Sequence, residues 1–296
     1  MSGCRRSWRR CGHGAAPTGL RSRAMPVATR FAPHWRSAEG GAVNARIAII
    51  GGSGLQTLPG FRQMEHIRVT TAWGAPSAPV QYGMLDGTEL LFLPRHGGER
   101  AIPPHKVNYR ANVAALTELG ARQVFAFNAA GGIGADFPAG TLAVPDQIID
   151  YTWGREHSFW EDDTGELLHV DFTQPYDGGA REYLLRGARA AGVPVVPHGV
   201  YAATQGPRLE SAAEIRRLRQ DGCDLVGMTG MPEAALAREK NLAYASLVLV
   251  VNVAAGISAA EITMADIRAV MAREIPRAVH ALAAAAVCAA SEHPTP

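Results

Sequence analysis

Two short runs in this chain end on residues that can do chemistry. The first is Leu247-Val-Leu-Val-Val-Asn252, an apolar stretch closing on a neutral amide that can both donate and accept. The second ends in Pro94-Arg95-His96-Gly-Gly98, which puts a permanent cation beside a titratable ring. Gly51-Gly-Ser53-Gly54 adds backbone N–H groups and a hydroxyl in a turn of the kind that cradles anions. Asn128-Ala129-Ala130-Gly-Gly132 is small enough to let backbone approach a ligand, and Met228-Thr229 precedes another glycine with a further hydroxyl. Each cluster alone is equally compatible with a tight turn or a surface Arg with a structural His. Together they predict a site for an anion and a flat polar ligand.

Elements that could position them follow from periodicity. Short buried strands are predicted at Arg46–Ile50, Glu89–Leu93, Gln123–Phe127, Val195–Ala203 and Tyr244–Val251. Helical spacing marks residues 108–119, 180–191, 211–220, 232–240 and 264–290, with a capping box at Ser211-x-x-Glu214 and a bend at Pro276. Residues 136–152 read as a hairpin turning at 138–140, and residues 153–180 as a long polar, aromatic loop. Strands alternating with helices give one doubly wound α/β domain, in which ligands bind beyond the carboxyl ends of the strands. The glycines after the first strand lack both the lysine of a phosphate-binding nucleotide loop and the spacing and acid of a dinucleotide fingerprint.

The chain has 296 residues, 47% hydrophobic and 19% charged, with a formal net charge of +2. Residues 1–40 hold eight arginines against Glu39 alone, so that segment carries +7 and the remainder −5. The body has no basic field for nucleic acid, and no apolar run reaches membrane-spanning length. Residues 1–44 are expected to be a disordered Arg-rich extension, with residues 45–296 the working domain. Cys4, Cys11, Cys223 and Cys288 show no paired or metal-like spacing, which predicts reduced thiols and no metal site.

Over residues 45–290 the chain resembles the nucleoside phosphorylases of the purine and methylthioadenosine type. The blocks that carry this are Gly51-Gly-Ser-Gly-Leu55, Arg95-His96-Gly97, Pro104-His-Lys-Val-Asn-Tyr109, Asn128-Ala-Ala-Gly-Gly132, Gly206-Pro-Arg208 and Met228-Thr-Gly-Met-Pro-Glu-Ala235. Within that family, Gly154-Arg-Glu-His157, His169-Val-Asp-Phe172, Thr229-Gly-Met-Pro232 and Asn252-x-Ala-Ala-Gly256 resemble the bacterial S-methyl-5′-thioinosine phosphorylases most.

The resemblance implies a mixed central sheet flanked by helices, a homotrimer in the cytoplasm, no cofactor and inorganic phosphate as co-substrate. It implies phosphate held by Ser53, Arg95, His96, Ala129 and Thr229, with Arg95, His96 and Asn252 in the catalytic roles. Met228 is expected against the ribose, and Leu209, Glu210 and Asn252 around the base. Methylthioadenosine enzymes carry Asp at the positions of Asn252 and Ala254, so this chain's departure at both implies a 6-oxopurine. The apolar face of Met264 and Ile267 suits a 5′-methylthio group, unless Asp266 turns in to bond a 5′-hydroxyl. His169 is expected to close the pocket, from a neighbouring subunit if the trimer holds. An inosine/guanosine phosphorylase, a methylthioadenosine phosphorylase and a non-catalytic nucleoside-binding module are the rival readings.

Overall fold

Alternation along each central strand sends successive side chains to opposite faces, and both faces here are apolar. The computed structural model describes residues 46–98, 101–161 and 169–292, so the predicted N-terminal extension lies outside the described residues. Strand β1 (Ile47–Gly51) sends Ile47 and Ile49 to one core and Ala48 and Ile50 to the other. β4 (Thr88–Pro94) does the same with Leu90 and Phe92 against Leu91 and Leu93. Helices α1 (Tyr109–Glu118) and α4 (Glu233–Glu239) cover one face, and α2 (Gly178–Ala190) and α5 (Met264–Glu292) the other. This is the doubly wound architecture expected of strands buried on both sides.

The sheet is mixed and ten-stranded, running β2 (Arg62–Ile67), β3 (Val80–Leu85), β4, β1, β5 (Gln123–Gly132), β9 (Leu225–Gly227), β8 (Val200–Ala203), β7 (Gln147–Asp150). β10 (Ala243–Val253) lies along the other edge of β5 and also pairs with β6 (Leu142–Ala143). β1, β4, β5 and β10 are mutually parallel, which brings their carboxyl ends to one side. Pairing of β5 with β1 stops at Ala126, and pairing with β9 starts at Gly131. Residues 127–130 therefore have no strand neighbour on that edge. Opposite them, the register of β10 slips between Val250 and Asn252.

The hairpin expected over residues 136–152 is not formed. Its turn is present, with Thr141 N–H donating to Pro138 O at 3.1 Å. However, β6 pairs antiparallel with β10 and β7 pairs parallel with β8, so the two arms join different neighbours. The strand predicted over Val195–Ala203 begins only at Val200, after a single bridge from Val196 to Ala143. β2, β3 and β9 were not anticipated; β2 is largely exposed and has no apolar alternation to reveal it. Helix ends fall near their sequence signals. Asn108 caps α1 by accepting from Ala111 N–H at 3.0 Å, and the Ser211–Glu214 box caps α3 (Ala212–Gln220). Pro276 lies inside α5, which continues through it. No helix among the described residues is long and apolar enough to cross a membrane.

α2 meets α5 with backbone in close contact at Gly187, where an added Cβ would lie 2.3 Å from Ala285 N and 2.6 Å from Ala285 Cα. Gly187→Ala should force these helices apart and destabilise the fold by about 1–3 kcal/mol. Urea unfolding checks this, and an unchanged midpoint would contradict the packing.

Candidate active site

Beyond the carboxyl ends of β1, β5, β9 and β10 lies a cavity of about 560 Å³. The gap on the edge of β5 forms part of its lining, with Ala129, Ala130 and Gly131 all contributing. Ser53 and Gly54 enter from the turn after β1, which Leu55 N–H closes onto Gly52 O at 3.0 Å. Gly54 sits at φ +81, a conformation that favours glycine, and the ends of the Met271 and Ile275 side chains pack over it. The carboxyl end of β10 supplies Asn252 and Ala254, and α5 supplies Met264, Ile267, Arg268 and Met271.

Of the phosphate residues implied by resemblance, Ser53, His96, Ala129 and Thr229 line this cavity. Arg95 does not. Its side chain is fully buried, with Nε and one terminal nitrogen each 2.7 Å from the two carboxylate oxygens of Glu233. Its other terminal nitrogen donates to Phe127 O at 2.9 Å, at the start of the β5 gap. An added Cβ on Gly52 would lie 2.8 Å from that nitrogen. Arg95 thus stands behind the anion turn, with its guanidinium against Gly52 and the start of the β5 gap. Burial opposes its charge, but the Glu233 carboxylate more than offsets this and raises its pKa. Tyr244 OH donates to the same carboxylate at 2.8 Å.

Thr229 is positioned by a buried chain of side chains. Ser246 Oγ donates to Asn128 Oδ1 at 2.7 Å, and Asn128 Nδ2 donates to Thr229 Oγ1 at 2.7 Å. A threonine oxygen already accepting keeps its own proton for another acceptor. His96 Nδ1 lies 2.9 Å from the carbonyl of Ile102 and must donate to it, which leaves Nε2 for a ligand. Burial, and then the neighbouring Arg95 charge, lower the His96 pKa below its ordinary 6.5.

At the base end, Glu210 and Asn252 line the same cavity. Thr204 Oγ1 donates to Glu210 Oε1 at 2.6 Å, and Asn252 Nδ2 donates to Val253 O at 2.9 Å. Asn252 keeps its carbonyl oxygen and one N–H for a ligand. Met228 and Leu209 also line the cavity. Asp266 does not, because its carboxylate accepts from Thr263 Oγ1 at 2.6 Å in the cap of α5. Beside it, Ile262, Met264, Ile267 and Met271 form a mainly apolar wall that also includes Arg268. His169 is exposed and is not among the residues lining this cavity within the chain.

Sequence reasoning assigned no role to Arg155, although Gly154-Arg-Glu-His157 had stood out. Its guanidinium donates to Met228 O at 2.8 Å, Met231 O at 2.6 Å and Gln205 O at 2.8 Å. It therefore ties the loops after β8 and β9 together beneath Met228. Arg268 and Gln56 also line the cavity without having been singled out, as does Pro104 from the block that runs to Tyr109.

Anion donors, an amide and a carboxylate thus share one cavity at the strand ends, an arrangement able to hold an anion beside a flat polar ligand. The chain belongs to the phosphorylase superfamily, whose family model matches residues 46–287. It is similar to the Xylella fastidiosa (strain Temecula1) protein named "Probable S-methyl-5'-thioinosine phosphorylase", at 56% identity over 222 residues, covering 75% of this chain and 90% of that one. It is 42% identical to the 6-oxopurine nucleoside phosphorylase of Pyrococcus furiosus over 234 residues, covering 77% and 87%. Among solved structures it resembles the methylthioadenosine phosphorylase of Schistosoma mansoni in complex with adenine, with a TM-score of 0.80 and 30% identity over 83% and 92% of the chains. Fold and family make the protein an enzyme, a pentosyltransferase of the nucleoside phosphorylase type.

The lowered pKa of His96 has a stability consequence. The unfolded chain binds a proton at about 6.5 while the folded chain resists it, so this contribution is complete above 6.5 and is lost as pH falls. Wild type should lose more stability than His96→Gln between pH 7.5 and pH 5.5, read as the shift in urea midpoint. Equal losses would contradict the assignment.

Proposed function

We propose that this protein cleaves S-methyl-5′-thioinosine with phosphate to hypoxanthine and 5-methylthioribose 1-phosphate. The observation that carries this reading is one cavity combining Asn252 and Glu210 with an apolar α5 face from which Asp266 is turned away. Names borne by relatives at 53–56% identity agree with it.

Phosphate enters against Ser53, His96, Thr229 and the uncovered β5 edge, and one of its oxygens bonds to C1′ as the C1′–N9 bond breaks. The electron pair of that bond leaves with the purine. Positive charge developing on the ribosyl ring is stabilised by the phosphate dianion, and negative charge spreads over O6 and the five-membered ring of the base. Asn252 bonds N7 and O6 more strongly as that charge grows, so it favours the transition state over the substrate. Glu210 accepts from N1–H, and the base departs as neutral hypoxanthine by taking up the proton that the hydrogen phosphate gives up as it becomes the sugar phosphate dianion. The reading carries with it a cytoplasmic homotrimer, in which His169 of a neighbouring copy reaches the 5′ end. Exposed Trp153, Leu209 and Met264 offer apolar surface for such a contact. Sedimentation or size-exclusion chromatography reads the assembly.

The alternative substrate, inosine, differs at the 5′ group. Burying the methylthio group contributes roughly 1–2 kcal/mol, and a buried hydroxyl without a partner costs about 1–3. Methylthioinosine should therefore exceed inosine in kcat/KM by about a hundredfold. Free base is measured by chromatography from methylthioinosine, inosine and methylthioadenosine, each with and without phosphate. Faster cleavage of inosine would discard the apolar 5′ subsite, and adenine as the main product would overturn the reading of Asn252.

Asn252→Asp, alone or with Ala254→Asp, should move preference toward methylthioadenosine, because an ionised carboxylate accepts from a 6-amino group but repels O6. Unchanged or improved 6-oxopurine turnover in the single variant would remove Asn252 from its role.

A further inference from the structure

Arg155 spends all of its N–H donors on neutral oxygens. Nε donates to Gln205 Oε1 at 3.3 Å, and one terminal nitrogen donates to Thr204 O at 3.2 Å and Gln205 O at 2.8 Å. The other donates to Met228 O at 2.8 Å and Met231 O at 2.6 Å, with Tyr109 OH also in reach at 3.3 Å. Only the rigid, planar fork of a guanidinium can hold so many acceptors at once, because an ammonium has fewer donors and no fixed plane. The cation also lies over the Tyr109 ring, 5.5 Å from its centroid.

These partners belong to three separate segments that reach the cavity. Thr204 and Gln205 lead to Leu209 and Glu210, Met228 and Met231 flank Thr229, and Tyr109 OH donates to Pro104 O at 2.9 Å. Side chains of the same three segments meet again at Gly206, where an added Cβ would lie 2.4 Å from Met228 Sδ and 3.0 Å from Pro104 Cγ. Met228 and Pro104 line the cavity and Arg155 does not. Arg155 therefore holds the backbone of a junction whose side chains form part of the cavity wall. The segment that supplies it, after β7, has an anchor of its own. Phe159 N–H donates to Glu239 Oε2 at 2.7 Å, its ring meets Trp73 edge-on at 4.6 Å, and Lys240 Nζ lies 4.1 Å from its centroid.

We propose that Arg155 is a positioning residue for turnover, which sets Met228 and the loop carrying Glu210 in register without touching substrate. This rests on the phosphorolysis reading, in which Met228 faces the ribose and Glu210 the base. Ser53, His96 and Ala129 come from elements that the guanidinium does not touch, so its loss falls on the nucleoside end of the cavity more than on the phosphate end.

Wild type, Arg155→Lys, Arg155→Gln and Arg155→Ala are compared with methylthioinosine and phosphate varied in turn, alongside urea unfolding. Arg155→Gln should raise the nucleoside KM and lower the nucleoside kcat/KM about ten- to a hundredfold, the scale on which a displacement of about 1 Å in positioning groups is felt. The phosphate KM should stay within about twofold, the scatter expected of a substitution remote from that subsite. Arg155→Lys keeps the charge but not the fork, and should fall in the same direction. Millimolar guanidinium should restore part of the turnover lost in Arg155→Ala, and ammonium should not. A purely structural role would lower the active fraction with both KM values unchanged and no response to guanidinium, and that result overturns the proposal. Hydrogen exchange needs no turnover: protection of residues 204–210 and 228–231 should fall in Arg155→Gln while α2 and α5 keep theirs. Unchanged protection in those two loops also overturns it. Wild type inert toward every nucleoside would instead remove the reaction reading, with exchange still deciding whether Arg155 holds the loops together.

Discussion

The buried ion pair between Arg95 and Glu233 holds the site side of this protein together. Arg95 begins the loop after β4, Glu233 opens α4, and the guanidinium also binds Phe127 O on β5 and presses on Gly52 after β1. Three parallel strands and a helix are thereby fixed around one planar group. Two fully buried charges are tolerable because they pair through two hydrogen bonds, with Phe127 O accepting from the guanidinium and Tyr244 OH donating to the carboxylate. Removing either partner alone would strand an uncompensated charge in the core. Arg95 therefore braces the turn after β1 from behind.

The cavity exists because β5 changes partner. β1 covers one edge of the strand to Ala126 and β9 resumes it at Gly131, while β10 runs along the other edge throughout. The interval exposes backbone in a part of the sheet that would otherwise be sealed. Small side chains at Ala129, Ala130 and Gly131 keep it open, since any Cβ on Gly131 would sit 3.3 Å from Asn252 Nδ2. The register slip in β10 falls opposite this interval and delivers Asn252 to the same space. Ala129, Ala130, Gly131 and Asn252 therefore share one wall of the cavity.

The two ends of the cavity differ in chemistry. At the β10 end, Asn252 offers a donor and an acceptor together, which neither an ionised Asp nor Leu could do. At the α5 end the lining is mainly apolar, and Asp266 spends its carboxylate on capping the helix. Arg155 belongs with these supports, since it holds the carbonyls of Met228 and Met231 and so fixes the loop that carries Thr229.

The sequence by itself determined the main strands and helices, because burial on both faces writes continuous apolar runs and caps write Asn, Ser and Thr at helix starts. It also determined the residue types at the strand ends, including Asn252 and the small residues after Phe127. What it could not determine was pairing. β6 and β7 look like two arms of a hairpin because adjacency in sequence is the only local signal, whereas β10 and β8 claim them from more than fifty residues away. The same holds for charge. Arg95, His96 and Arg268 are three basic residues in the sequence, and only tertiary structure decides that the first is neutralised by an acid 138 positions later, the second is held by a carbonyl, and the third is left facing the cavity. Electrostatic roles depend on distances and burial, and these are set when the chain closes on itself.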